Sequence, residues 1–206
     1  MAVILYFASI LVTCALCGFL ALYAWRQRCV PGARVYAGLA FCECLLALVE
    51  ILAMLSPSPE QALFWWKSRF LFSAVIPVFS LVFAFEFGGW RGWRSKRVLA
   101  VMFIIPLLTQ VLLWSNNLHG LWVHQEVGWR QNGPFWIAET SARIPGLWFA
   151  VHSFYGSLLW IAGVGVLLVA AWRMRRLYLG KALLVVGMAL VVLVNALIPT
   201  FNLFPT

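Results

Sequence analysis

A chain of 206 residues that is 64% hydrophobic and only 10% charged is too apolar for a water-soluble domain, which averages about 45–50% apolar and about 25% charged. Lipid must be its solvent. The formal charge of +9 would suggest nucleic acid in a soluble protein, but here the basic residues sit in short connections between apolar runs, where they set topology, and nucleic acid is set aside as a partner.

A membrane-spanning helix needs about 20 mostly apolar residues, and six such runs follow one another along the chain. Ala2–Trp25 is the first; without a basic leader or a small-residue cleavage site, it reads as a retained helix rather than a signal peptide. Val35–Leu55 is the second and carries Glu43 and Glu50. Ala62–Phe87 is the third, with Lys67, Arg69 and Glu86, and Val98–Trp114 is the fourth and shortest. Leu147–Ala171, containing His152 and Tyr155, is the fifth, and Ala182–Thr200, containing Asn195, is the sixth. The expected fold is therefore an all-α integral membrane bundle of six helices, with residues 1–206 forming one transmembrane domain.

Connections on one side carry eleven basic residues: Arg26, Arg28 and Arg34; Arg91, Arg94, Lys96 and Arg97; Arg173, Arg175, Arg176 and Lys181. The other side carries only Arg130 and Arg143 in its loops. By the positive-inside rule the first side is cytoplasmic and the N-terminus lies outside. Tryptophans agree, with Trp25, Trp90, Trp93 and Trp172 at the expected cytoplasmic boundary and Trp65, Trp66, Trp114 and Trp148 at the outer one. Trp160 fits neither belt and is assigned to the bundle core or to lipid.

The one long connection, Ser115–Gly146, is an outer loop. Its segments Val123–Trp129 and Phe135–Ile137 flank Asn132-Gly133, a favoured hairpin turn, so a short β-hairpin is expected over the outer mouth of the bundle. None of the five cysteines falls in an outer segment, so no disulfide framework is implied, and Cys14-x-x-Cys17 reads as packing. There is no Asp, and His119, His124 and His152 lack metal spacing or carboxylate support, so neither catalysis nor a metal or cofactor is expected.

Charged and polar residues inside helices are costly in lipid and usually face the bundle. At 1.5 Å per residue, Glu50, Lys67, His152 and Asn195 all lie about 8 Å below the outer helix ends, with Gln110 slightly shallower and Arg69 and Tyr155 at about 10–12 Å. One polar layer beneath the outer surface results, and such convergence among aromatics suits a small-molecule pocket. The alternative is mutual satisfaction of these groups as interhelical glue. Expected ligand contacts are Glu50, Lys67, Arg69, His152, Tyr155 and Asn195, walled by Trp65, Trp66 and Trp148. Lys67 and Arg69 are about 200° apart around their helix; Arg69 is favoured as the inward cation, with Lys67 snorkelling to the interface. The mix of cations, His, Tyr and Trp suits an aromatic or weakly acidic amphiphile. Glu43, near mid-membrane, reads as a neutral carboxyl hydrogen-bonded to a neighbouring helix, with a proton relay as the alternative, and Glu86 as an interfacial ion pair with Arg91 or Arg94.

The chain also resembles the N-terminal seven-transmembrane sensor region of bacterial histidine kinases. The likeness rests on Ala21-Leu-Tyr-Ala-Trp-Arg26 with Pro31-Gly-Ala33, on Leu63-Phe-Trp-Trp-Lys67 running to Pro77, and on Pro106 leading to Asn116-Asn-Leu-His-Gly-Leu-Trp122. Gly146-Leu-Trp-Phe-Ala-Val-His152 and Tyr178 leading to Asn195 continue it in the same order. The resemblance implies an input module in the bacterial cytoplasmic membrane, feeding a cytoplasmic histidine kinase that is dimeric and acts on a response regulator. In some relatives the output is a diguanylate cyclase. The seventh helix and the output domain it implies are not within this sequence, which ends at Thr206. A sensor for a small ligand is thus the leading function, with a small transporter or channel subunit as the alternative, although no inverted repeat or matched pair of broken helices supports it.

Overall fold

The computed structural model describes residues 2–90, 95–124, 128–139 and 145–200, with side chains for 3–90, 95–124, 128–136 and 145–173. In chain order the elements are α1 (Ala2–Arg26), α2 (Ala33–Met54), α3 (Pro59–Ser73), α4 (Ile76–Phe87), α5 (Lys96–Trp114) and α6 (Asn116–His119). Strands β1 (Gly128–Asn132) and β2 (Phe135–Glu139) and helix α7 (Leu147–Thr200) follow. Five stretches among the described residues are long and apolar enough to cross a membrane: Val3–Arg26, Ala33–Met54, Pro59–Phe87, Lys96–Trp114 and Leu147–Arg173. The chain is a multi-pass membrane protein. α1 packs on α2, α2 on α3 and α4, and α4 on α7; Arg28 and Arg34 gather with Glu86 and Leu99 at a basic end, away from the hairpin that marks the other end.

The third span is broken where the sequence pattern is continuous. α3 stops at Ser73 and α4 starts at Ile76, because Pro77 has no N–H to return to the Ser73 carbonyl and its ring crowds the preceding turn. Ser58 starts α3 by accepting the Gln61 N–H at 3.4 Å, with Pro59 at the first helical position, where its missing donor costs nothing.

The fifth and sixth runs also depart from expectation, in the opposite sense. One helix, α7, covers Leu147–Thr200, and the expected connection 172–181 is helical. Its Arg, Met, Leu and Lys residues are good helix formers and Gly180 is the only weak one; charge marks a membrane boundary without breaking a helix. A straight helix of 54 residues is about 81 Å long, far beyond the hydrocarbon thickness of about 30 Å. The expected sixth span, 182–200, lies outside the described side chains, as does Asn195.

Among the described residues two cores hold the bundle. Val78, Leu81, Val82 and Ala84 of α4 pack on Leu159, Val166 and Leu167 of α7 through the membrane interior. An aromatic cluster closes the hairpin end, where Trp66 and Phe70 of α3 meet Leu113 of α5 and the loop residues Trp122 and Val123. Trp122 is fully buried, edge-on to Phe70 and Phe149 at ring distances of 4.9 and 5.3 Å. The loop backbone is held by Asn116, whose Oδ1 accepts from the Trp122 and Val123 amides (2.8 and 3.1 Å) while Nδ2 donates to the Val123 carbonyl (2.9 Å). The returning chain crosses so close that a Cβ on Gly146 would overlap the Leu121 carbonyl.

The hairpin forms with its turn one residue later than the Asn132-Gly133 expected. Asn132 pairs with Phe135, so Gly133 and Pro134 make the turn, and Gly133 takes φ 61. Glycine at the first central position and proline at the second suit this geometry, since only glycine takes the positive φ freely. Phe135 lies against Phe7 of α1, ring centroids 5.0 Å apart, so the hairpin rests on the outermost turns of the bundle. The expected pairing of Glu86 with Arg91 or Arg94 lies outside the described residues.

Candidate functional site

Between α1, α2, α3 and α7, beneath the hairpin, lies an open cleft of about 480 Å³. This volume is in the range of small-ligand sites, about 300–1,000 Å³. Four helices contribute polar groups to it. At the hairpin end Arg69 of α3 donates to Glu50 of α2 (3.2 Å), and Tyr6 of α1 donates to the second oxygen of the same carboxylate (3.4 Å). The guanidinium is also flanked by the rings of Trp66 and Phe70, 5.4 and 5.2 Å from their centroids. Arg69 is therefore held by one charge and two π faces.

The opposite wall is α7, where His152, Ser153, Gly156, Ser157 and Trp160 face the cleft. A step of four residues turns about 40° around the helix and one of eight about 80°, which puts Gly156 and Trp160 below His152 and still on the cleft side. His152 is oriented from behind. Thr109 of α5, fully buried, donates to its own Ile105 carbonyl (2.8 Å) and receives Trp148 Nε1–H (3.1 Å), with His152 Nδ1 at 3.2 Å. With the single hydroxyl proton on Ile105, the second lone pair of Thr109 takes His152 Nδ1–H, leaving Nε2 as an acceptor. Gln110 ties α5 to α3 by donating to the Phe70 carbonyl (2.7 Å).

Of the residues singled out in the sequence, the cleft gathers Glu50, Arg69 and His152. Trp66 stands behind Arg69 and Trp148 behind His152, each supporting a lining residue rather than lining the cleft. Tyr155 turns away, its hydroxyl donating to the Met102 carbonyl of α5. Lys67 borders a separate hollow of about 30 Å³ beside Trp122, and Trp65 packs edge-on to Phe64. His119 braces the loop, with Nε2 3.0 Å from Ser115 and Nδ1 accepting the Leu121 amide.

The cleft also includes residues that the sequence did not single out as contacts: Tyr6, Thr13, Ser73, Ser153 and Ser157, with Glu43 and Trp160 at its lining. The Ser73 hydroxyl is buried with no partner among the described residues. A repeating Ser and Gly pattern after His152 was the available signal on α7; on α1 nothing marks Tyr6 apart from other boundary aromatics.

A family model described as the N-terminal 7TM region of histidine kinase matches residues 9–206. The chain belongs to this family. No curated protein and no solved structure matches it. This 7TM region is the sensor part of membrane histidine kinases, so the cleft sits in the input portion of a signal-transducing protein whose parent carries a cytoplasmic kinase domain.

Proposed function

We propose that this 7TM region is a receptor for a small ligand bound in the cleft, and that occupancy biases the bundle between two arrangements read by the cytoplasmic kinase. The observation that carries this reading is the convergence of Tyr6, Glu50, Arg69 and His152, from four separate helices, on one cleft of about 480 Å³. Helices joined across a cavity by polar contacts, not by a continuous apolar core, can shift without breaking the α4–α7 core. Coupling of about 1–3 kcal/mol between ligand and output is typical of such systems. The chain itself has no catalytic role in this scheme; phosphoryl transfer belongs to the kinase domain and a response regulator, with the parent acting as a homodimer. The excess of arginine and lysine at the basic end supports a cytoplasmic location for it, with the N-terminus and the hairpin outside, in the bacterial inner membrane. The family gives no support to a transporter or channel, or to a cyclase output.

The test is to fill the cleft. A Cβ on Gly156 meets only Pro77, at an ordinary 3.7 Å, so Gly156→Trp projects its ring into the cavity without a backbone clash. In the parent kinase this change should move autophosphorylation severalfold in one direction. Wild-type protein released from native membranes should show a bound small molecule by mass spectrometry, and the variant should lack it. Unchanged phosphorylation and unchanged adducts would sink the cleft as a receptor site.

A further inference from the structure

We infer that the cleft selects a monocationic amine, an inference that rests on the receptor reading above. The mix of cations, His, Tyr and Trp read from the sequence suited an aromatic or weakly acidic amphiphile. The structure changes that balance. Lys67 is outside the cleft, and Arg69 is already neutralised by Glu50. Among the described lining residues Glu43 and Glu50 are acidic, Arg69 is the permanent cation and His152 is held by Thr109, so one carboxyl group has no cation of its own.

The surplus is Glu43. It sits seven residues before Glu50 on the same face of α2, about 10 Å deeper into the membrane, and has no hydrogen-bond or ionic partner among the described residues. A carboxylate in such a place is stabilised only by a paired cation. An anionic ligand meets no free cation there, since Arg69 is committed to Glu50. An ammonium supplies the missing partner, and the lining suits the rest of such a molecule. Phe149 and Trp160 offer aromatic faces, while Thr13, Ser153 and Ser157 offer hydroxyl oxygens to its remaining N–H groups. The cleft has an acidic floor at Glu43 and a closed ion pair at its rim, Arg69 with Glu50. An amphiphilic amine with its charged end inward and its apolar body along the aromatic wall fits both.

The experiment uses three probes of one shape, naphthylethylamine, naphthylethanol and naphthylacetate, with the protein in phosphatidylcholine nanodiscs. Binding is measured by equilibrium dialysis, and binding to empty nanodiscs is subtracted. The amine should bind about tenfold tighter than the alcohol, a ratio one desolvated charge pair supports, with the acid weakest. Glu43→Gln should bring the amine down to the level of the alcohol and leave the alcohol unchanged, which also shows that the variant is folded. Equal binding of all three, tightest binding of the acid, or an amine preference that survives Glu43→Gln would overturn the amine and leave the cleft standing. Saturable binding of none, or binding that Gly156→Trp does not reduce, would overturn the receptor reading and the amine with it.

Discussion

Removing Arg69 should cost more than removing Glu50, although the two form one ion pair. Arg69 donates to Glu50 at 3.2 Å, and the side chains are 33% and 24% exposed. Breaking a fully buried pair costs about 3–5 kcal/mol; the partial exposure lowers this to about 2–3 kcal/mol. Arg69→Met leaves the Glu50 carboxylate with only the 3.4 Å bond from Tyr6 and also removes two guanidinium–ring contacts, each worth about 0.5–1 kcal/mol. The total is about 3–5 kcal/mol. Glu50→Gln leaves Arg69 on the rings of Trp66 and Phe70 and keeps an oxygen able to accept from it, so about 1–2 kcal/mol is expected. The double variant should be less unstable than the sum by about 1–2 kcal/mol. Reversible unfolding in mixed micelles, followed by far-ultraviolet circular dichroism, gives all four corners of the cycle. A coupling below about 0.5 kcal/mol, the range of independent sites, or a Glu50 variant less stable than the Arg69 variant, would refute the reasoning.

Three further outcomes are expected. In intact cells a membrane-impermeant maleimide should label a cysteine introduced at Asn132 in the hairpin, whereas native Cys29, exposed at the basic end, should react only after lysis; labelling of Cys29 from outside would reverse the orientation. Asn116→Ala removes three loop hydrogen bonds, worth together about 2–3 kcal/mol, and should speed proteolysis of the loop 115–146; an unchanged cleavage rate would show that the aromatic cluster alone holds it. Tyr155→Phe loses the bond to the Met102 carbonyl and should lower stability by about 1 kcal/mol without changing naphthylethylamine affinity. A changed affinity would place the Tyr155 hydroxyl in the site after all.

Depth in the membrane was legible from the sequence because it is a matter of counting residues along a helix. Glu50, Arg69 and His152 were placed in one layer that way, and they line one cleft. Direction around the helix was not legible to the same precision. Tyr155 is three residues after His152, an offset of about 60°. On a helix with a cleft on one flank and α5 on the other, 60° decides which gap a side chain enters. Lys67 and Arg69, about 200° apart, could be separated in the sequence; Trp66, three before Arg69, lies under the guanidinium instead of beside a ligand. Trp160 was assigned to core or lipid because its depth matched no boundary, yet eight residues after His152 it is turned about 80° to the side opposite Tyr155 and lines the cleft. The breaks were misjudged for a related reason. Hydropathy follows lipid exposure, so it runs on through the Pro77 break and halts at the charged segment 172–181, whereas backbone hydrogen bonding does the reverse in both places.

The adjacent residues Tyr6 and Phe7 give α1 a mechanical role. The apolar stretch Val3–Arg26 is 24 residues long, about 36 Å of helix against a hydrocarbon slab of about 30 Å, so it fits by tilting or by lifting its ends into the headgroups. It packs along α2 and shows lipid a broad face that includes Leu11, Leu16, Phe19 and Leu22. Its angle is therefore set partly by the bilayer. The end that swings carries Tyr6 on the Glu50 carboxylate and Phe7 on the hairpin. Any further tilt of α1 in a thinner membrane would bear on both contacts at once, whereas the α4–α7 core contains no residue of α1. A tilt of α1 would thus load the cleft and its cover through a single turn of helix, with α2 as the fulcrum.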